Sequence, residues 1–250
     1  SITVNPDSTI TYTVSGTNAQ GCTTSPGWID VSGGLYHSLG IKSDGTLWAW
    51  GDNSVGQLGI GTFVNKIIPV QIGTATSWKK VSGGGSFSAG IKSDGTLWAW
   101  GENFAGQLGD GTNTDKNLPV QIGAATDWKE ISAGDYHCLA IKTDGTLWAW
   151  GDNSKGQLGD GTNMTKYVPV QIGSATNWSK VSSGQLHSIS IKSDGTLWSW
   201  GSNEFGQLGD GTLSDKSIPV QIGSATDWAN ISAGASHNTG IKTNGTLWAW

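Results

Sequence analysis

Beyond residue 26 the chain is a succession of short apolar runs in which hydrophobic residues alternate with small or polar ones. In the stretch WKEISAGDYHCLAIKTDGTLWAWG, residues 128–151, the apolar positions are Ile131, Leu139 with Ile141, and Leu147 with Ala149, while Trp148 and Trp150 fill the other side of the last run. A period of two is the spacing of strands, whose side chains point alternately to the two faces of a sheet. The run Thr146–Trp150 is apolar on both faces, so its strand is expected to be covered on both sides. Ser43-Asp44-Gly45, Ser93-Asp94-Gly95, Thr143-Asp144-Gly145, Ser193-Asp194-Gly195 and Thr243-Asn244-Gly245 place Asp-Gly or Asn-Gly between two such runs, a signal for a tight hairpin. Pro69, Pro119, Pro169 and Pro219 precede a Val-Gln-Ile run. That placement suits the start of an edge strand, because proline has no N–H to give to a ladder.

The whole pattern repeats. Trp28, Trp78, Trp128, Trp178 and Trp228 recur every 50 residues, as do the pairs Trp48/Trp50, Trp98/Trp100, Trp148/Trp150, Trp198/Trp200 and Trp248/Trp250, which accounts for all 15 tryptophans. The register never slips, so nothing is inserted between Trp28 and Trp250. One unit of about four strands cannot bury three indoles alone, and stacked copies are required. Four-stranded units of this length with Gly-rich turns describe the blades of an all-β propeller. The fifth copy stops after its TLWAW strand, leaving about four and a half to five blades. The expectation is a fragment of a larger, seven-bladed ring. The alternative is five blades closed by residues 9–15 as the final strand. An open ring would expose apolar faces at both ends, so self-association is expected in that case.

Composition narrows the partners. A net charge of −5 with 14 lysines and no arginine argues against nucleic acid, whose affinity comes from clustered cations. No run approaches the 18 or so apolar residues of a membrane span. Cys22 and Cys138 are too few and too far apart for a disulfide framework or a metal cluster. Residues 1–26 stand outside the repeat and are divided from the propeller domain, 27–250. They resemble the end of an immunoglobulin-like module of bacterial extracellular proteins, which points to an extracellular or cell-surface setting.

The strings HSLGIKSDGTLWAWGDNSVGQLGIGT (37–62) and HCLAIKTDGTLWAWGDNSKGQLGDGT (137–162) are similar to the repeat of the regulator of chromosome condensation family. The resemblance implies a β-propeller, usually of seven blades, over residues 27 to 250. It does not imply one function, since that blade serves a nucleotide exchange factor, a plant ultraviolet-B photoreceptor, a secreted β-lactamase inhibitor and bacterial surface proteins. The photoreceptor type needs Trp flanked by Arg, which this chain lacks. The exchange factor needs an inserted wedge, which the constant period leaves out.

Positions identical in all copies are expected to be structural, and a single site is expected where copies differ. His37, His137, His187 and His237 share one slot with Phe87; successive blades hold them too far apart for one ion, so each is expected to be structural and bonded to the loop beside it. Asp110, Asp160 and Asp210 open GDGT segments that lack the ligand ladder of an EF-hand, and turn formation is preferred over Ca²⁺ binding. No catalytic motif occurs, and neither enzyme activity, a cofactor nor a metal is expected. Six aromatics fall where the copies differ, in predicted loops: Tyr36, Phe63, Phe104, Tyr136, Tyr167 and Phe205. Aromatics on variable loops over a rigid scaffold build binding surfaces. The reading is a non-enzymatic module that binds a protein or glycan through these loops. The alternatives are a GTPase-interacting regulator and a secreted hydrolase with a loop-borne acid pair.

Overall fold

The computed structural model describes residues 26–250, and the readings made on residues 1–25, the immunoglobulin-like lead-in and the closing strand, lie outside them. Nineteen strands form five antiparallel sheets. The first holds β1 (Trp28–Gly33), β2 (His37–Lys42), β3 (Leu47–Gly51) and β4 (Lys66–Gln71); the second β5 (Trp78–Gly83), β6 (Phe87–Lys92), β7 (Leu97–Gly101) and β8 (Lys116–Gln121). The third holds β9 (Trp128–Ala133), β10 (His137–Lys142), β11 (Leu147–Gly151) and β12 (Lys166–Gln171); the fourth β13 (Trp178–Ser183), β14 (His187–Lys192), β15 (Leu197–Gly201) and β16 (Lys216–Gln221). The fifth has three strands, β17 (Trp228–Ala233), β18 (Asn238–Lys242) and β19 (Leu247–Ala249). The sheets follow one another around an axis lined by β1, β5, β9, β13 and β17, and the architecture is a β-propeller.

The alternation read from the sequence is the packing of blade on blade. Leu39, Ile41, Leu47, Ala49, Leu58 and Ile72 of the first blade close on Trp78, Val81 and Trp100 of the second, and the same set recurs between the third and fourth. Strand three of an inner blade is covered on both faces, as its composition requires: Leu147, Ala149 and Trp150 are fully buried. The end blades differ among the described residues. Trp28 is 45% exposed against 5% for Trp78, and Leu247 is 70% exposed against 0% for Leu147.

Two local features depart from the sequence reading. The Asp-Gly hairpins are not two-residue turns with both residues at positive φ. Gly145 alone has positive φ (79°), its N–H donates to the Lys142 carbonyl at 3.0 Å, and Lys142 pairs with Thr146 at 3.1 Å. This is a type I turn followed by a bulge glycine. The Asp144 carboxylate accepts from the Thr146 N–H and hydroxyl at 3.0 and 2.7 Å, and Asn244 does the same for Thr246 in the fifth copy. Pro69 does lie on an edge strand, but within it, because pairing skips from Ala49↔Val70 to Gly51↔Lys66 and leaves a bulge where no N–H is needed.

The blades are also clamped by polar bonds. The buried indole N–H of Trp100 donates to the Gln57 carbonyl at 2.9 Å, Trp150 to Gln107 at 2.9 Å and Trp200 to Gln157 at 2.8 Å, each reaching the preceding blade. Gly109 makes room for this: a Cβ there would stand 2.8 Å from the Trp150 ring, on a backbone with φ of 76°. Nearer the axis, Ser32, Ser82, Ser132 and Ser182 hydroxyls accept from the N–H of Gly83, Ala133, Ser183 and Ala233 at 2.9–3.0 Å. Trp150→Ala is expected to cost about 3–5 kcal/mol, and Trp150→Phe, which keeps a ring but orphans the Gln107 carbonyl, about 1–3 kcal/mol. Urea unfolding followed by near-UV circular dichroism checks both, and a Trp150→Phe variant as stable as the parent would mean that the N–H contributes nothing.

Candidate functional site

Antiparallel order puts the β1–β2 and β3–β4 connections at one end of every blade and the Asp-Gly hairpins at the other. The first end therefore carries the short loops 34–36, 84–86, 134–136, 184–186 and 234–236 together with the long segments 52–65, 102–115, 152–165 and 202–215.

One buried asparagine organises each long segment. Asn103 Nδ2 donates to Asp110 Oδ1 (3.1 Å) and to the carbonyls of Thr112 (3.1 Å) and Thr114 (3.2 Å), while its Oδ1 accepts from the Leu108 N–H at 3.0 Å. Asp110 also takes the Thr112 N–H and hydroxyl at 2.9 and 2.7 Å and faces Lys116 at 3.1 Å. Asp160 and Asp210 repeat this with Lys166 and Lys216 at 3.0 and 3.3 Å. These carboxylates are turn staples. In the first copy Ile60 replaces the acid, and Asn53 still holds the loop through the Thr62 carbonyl at 2.7 Å.

On this platform Tyr36, Phe63, Phe104 and Phe205 are exposed and Tyr136 is half-buried, all on loops. Two of them meet. Phe104 of the second blade and Tyr136 of the third pack edge to face, ring centroids 5.4 Å apart. Tyr167 does not belong with them, and the loop expected there is strand β12. Its ring covers Gly106 of the preceding blade and its carbonyl accepts from the Gly111 N–H at 2.8 Å, so it clamps two blades.

Acidic groups surround the aromatic pair. Burial raises the Tyr136 phenol pKa, and the carboxylates of Asp135, Glu102 and Asp152 push it further up. Burial likewise raises Asp135, although Gln185 donates to it, and raises Glu102, aided by Asp115. Asp135 and Gln185 stand at the rim of an axial cavity of about 470 Å³, walled by serines and glycines of all five inner strands. Glu102 and Asp152 went unnoticed in the sequence. The available signal was their slot, occupied by Asp52, Glu102, Asp152 and Ser202, directly after a strand-ending glycine.

A second missed slot lies toward the opposite end of the inner strands: Asp30, Lys80, Glu130, Lys180 and Asn230. Asp30 accepts from the Val81 N–H at 3.1 Å, Lys80 pairs with Glu130, and Lys180 reaches Asn230 at 3.3 Å. At that end, too, Lys92 lies 3.6 Å from the centre of the Trp98 ring and 5.0 Å from that of Trp78, an arrangement that Lys42, Lys142, Lys192 and Lys242 repeat.

The histidine slot is structural, but its bonds cross to the next blade instead of to the adjoining loop. His37 Nε2 meets Ser88 Oγ at 2.9 Å, His137 meets Ser188 at 3.0 Å, and His187 meets Asn238 Oδ1 at 2.8 Å. The Ser88 and Ser188 hydroxyls spend their protons on the carbonyls of Gln57 and Gln157, at 2.8 and 2.7 Å, so the imidazoles donate from Nε2. Where Phe87 replaces histidine, the residue opposite is Cys138, and the two share an apolar cluster. Burial drives the Cys138 thiol pKa well up.

Tandem antiparallel blades of near-constant core and variable loops define a repeat-built β-propeller. The regulator of chromosome condensation (RCC1) repeat model matches residues 44–91, 94–141, 144–191 and 194–241, and the chain belongs to that family. Similar solved structures are human WBSCR16 (24% identity, TM-score 0.81, 89% of this chain and 61% of that one) and Prp20p of Saccharomyces cerevisiae (21%, 0.77, 88% and 57%), the latter described with its binding properties to Gsp1p and histones. Yeast RCC1 (Prp20) bound to Kap60 is also similar (22%, 0.76, 89% and 55%). A 42-residue segment is 43% identical to the ultraviolet-B receptor UVR8 of Arabidopsis thaliana, covering 17% of this chain and 10% of the receptor. The chain thus spans less than two thirds of these relatives. No helix among the described residues is long and apolar enough to cross a membrane.

The histidines make stability depend on pH. Burial lowers His37 to about 4 and His137 to about 3, from an ordinary 6.5. The unfolded chain takes up these protons near pH 6.5 and the folded chain refuses them, so stability is full above 6.5 and drains as pH falls toward the folded values, at about 1.4 kcal/mol per pH unit for each ring. Melting temperatures between pH 7 and 4 are expected to fall less steeply in the double variant His137→Phe, Ser188→Cys, which copies the Phe87–Cys138 pair. An unchanged slope would remove His137 from the account.

Proposed function

We propose that this chain is a non-enzymatic binding module that recognises a protein or glycan through the loop-bearing end of its propeller. One observation carries the reading: the side chains that build the blades repeat almost without change, while the exposed aromatics at that end, Tyr36, Phe63, Phe104 and Phe205, differ from copy to copy. Aromatic groups held at fixed positions lose little entropy on binding and supply large contact areas. The known partners of the yeast relative, Gsp1p, histones and Kap60, support a protein ligand over a glycan. The extracellular or cell-surface setting belongs to the proposal too, supported by the sequence of residues 1–26 alone.

The joint variant Tyr36→Ala, Phe104→Ala, Tyr136→Ala, Phe205→Ala is expected to lose partner capture in cross-linked pull-downs, or glycan-array binding, while still unfolding cooperatively, since the exposed Tyr36, Phe104 and Phe205 each move stability by about 0.5 kcal/mol or less and the half-buried Tyr136, with its ring pair, by about 1–2 kcal/mol. Undiminished capture by the variant would exclude that end as the contact surface.

A further inference from the structure

We infer that the junction of the second and third blades, where Phe104 and Tyr136 meet between Glu102, Asp135 and Asp152, docks a lysine or arginine side chain of a basic peptide segment. The inference rests on reading the loop-bearing end as the recognition face and names the chemistry it recognises.

The junction is unlike its equivalents. The position of Phe104 is Ser54, Ser154 or Glu204 in the other copies, and the position of Tyr136 in the next blade is Ser86, Leu186 or Ser236. Among the described residues no other blade junction places two aromatics together there. The same junction collects Glu102 from one blade and Asp135 and Asp152 from the next, whereas the slot of Asp135 is otherwise Leu35, Gly85, Gln185 or Ala235.

The three carboxylates have no countercharge. Among the described residues Asp110, Asp127, Glu130, Asp160, Glu204, Asp210, Asp215 and Asp227 face lysines within 4.0 Å; Glu102, Asp135 and Asp152 do not, nor do Asp30, Asp52, Asp115 and the hairpin aspartates Asp44, Asp94, Asp144 and Asp194, but only here do three such carboxylates gather around an aromatic pair. Lys155, three residues beyond Asp152, is drawn the other way, to Glu204 at 2.6 Å and Asp215 at 3.5 Å of the fourth blade. What is left is negative potential over an aromatic pair whose outer ring, Phe104, is 58% exposed. A cation at that place gains from the carboxylates and from the ring faces together, the more so because the carboxylates are partly desolvated. The chain uses the same chemistry internally, where each blade lays a lysine over two indoles. Asp135 at the rim of the axial cavity gives the segment carrying the cation a polar wall of serines to run along.

The probe is a fluorescent decapeptide of alternating arginine and glycine, with a citrulline version of the same length that lacks the charge. Anisotropy titrations at low salt are expected to show about tenfold weaker binding of the citrulline peptide, and about tenfold weaker binding of the arginine peptide to Glu102→Gln, Asp135→Asn. The control Asp44→Asn, Asp94→Asn removes the same charge at the far end, where Asn244 shows that asparagine keeps the hairpin, and is expected to bind as the parent does. Peptide binding is also expected to lower the Tyr136 phenol pKa, read by ultraviolet difference absorbance and absent in Tyr136→Phe. Equal binding of the two peptides, or equal loss in both double variants, would overturn the inference. If the four-alanine variant loses its partner while arginine and citrulline peptides bind alike, the recognition face stands and its cationic ligand falls. If that variant keeps its partner, both fall.

Discussion

The indole N–H of the third strand, delivered to a glutamine carbonyl of the preceding blade, is the contact on which the rest of this propeller depends. Trp100 and Gln57, Trp150 and Gln107, and Trp200 and Gln157 are each separated by the same stretch of chain, and each bond is buried. A buried donor or acceptor left alone is costly, so the bond fixes the distance along the chain between a loop and the next blade. The serine–backbone bonds between inner strands and the histidine bonds to the following blade impose the same spacing from other positions. One inserted residue would break all three sets at once, which gives the unvarying period of 50 a physical cause. The clamp also makes the loop end stiff. The carbonyls gripped by Trp100 and Trp150 belong to the segments that carry Phe63 and Phe104, so this polar contact between blades sets where those variable aromatics stand.

Near-identical copies raise a problem of identity, because one blade's face could accept another's. The variable slots along the interfaces work against that. In the row Asp30, Lys80, Glu130, Lys180, Asn230, successive blades bring unlike partners together, whereas pairing the second blade with the fourth would set Lys80 against Lys180. Like charges so placed are unfavourable. The exchange of His–Ser for Phe–Cys at one junction acts similarly, since a histidine facing Cys138 would lose its strong acceptor, and Phe87 facing a serine would leave a buried hydroxyl with one partner fewer. Sequence variation that looks like drift within one blade is thus matched variation across two.

The strands and blades were legible because their causes are local. Alternation along Leu147–Trp150 reflects two covered faces, and the turn glycines reflect backbone geometry within a few residues. What could not be read was set by contacts between copies. Tyr167 looked like the other variable aromatics until β12 placed its ring on Gly106 of the neighbouring blade. The histidines were rightly read as structural, yet their partners lie in the next copy, where no pattern within one unit points. Glu102 and Asp152 carry no motif, and their importance arises because the blade junction gathers them around Tyr136. The hairpin was recognised from Asp-Gly, whereas its type was not, since Asp144 serves by its carboxylate and leaves positive φ to Gly145 alone.

The placement of that junction follows from how stability is distributed. Partly desolvated carboxylates without a countercharge, beside an exposed phenylalanine, lower the stability of the free protein. Such a cluster is tolerable only where the surrounding framework is over-determined, and here the Asn103 network holds the loop while Trp150 and Gln107 hold the blade behind it. Sites where local rules are broken without evident compensation inside the protein are where compensation from a partner is to be sought. The unpaired polar atoms of the blade cores, the indole N–H groups of Trp78, Trp128 and Trp178 and the Nδ1 atoms of His37, His137 and His187, are neutral and recur from copy to copy as part of the repeated framework. At this junction three such carboxylates stand together beside an exposed phenylalanine, and the sign of that cluster, negative charge against an aromatic surface, dictates the sign of what relieves it.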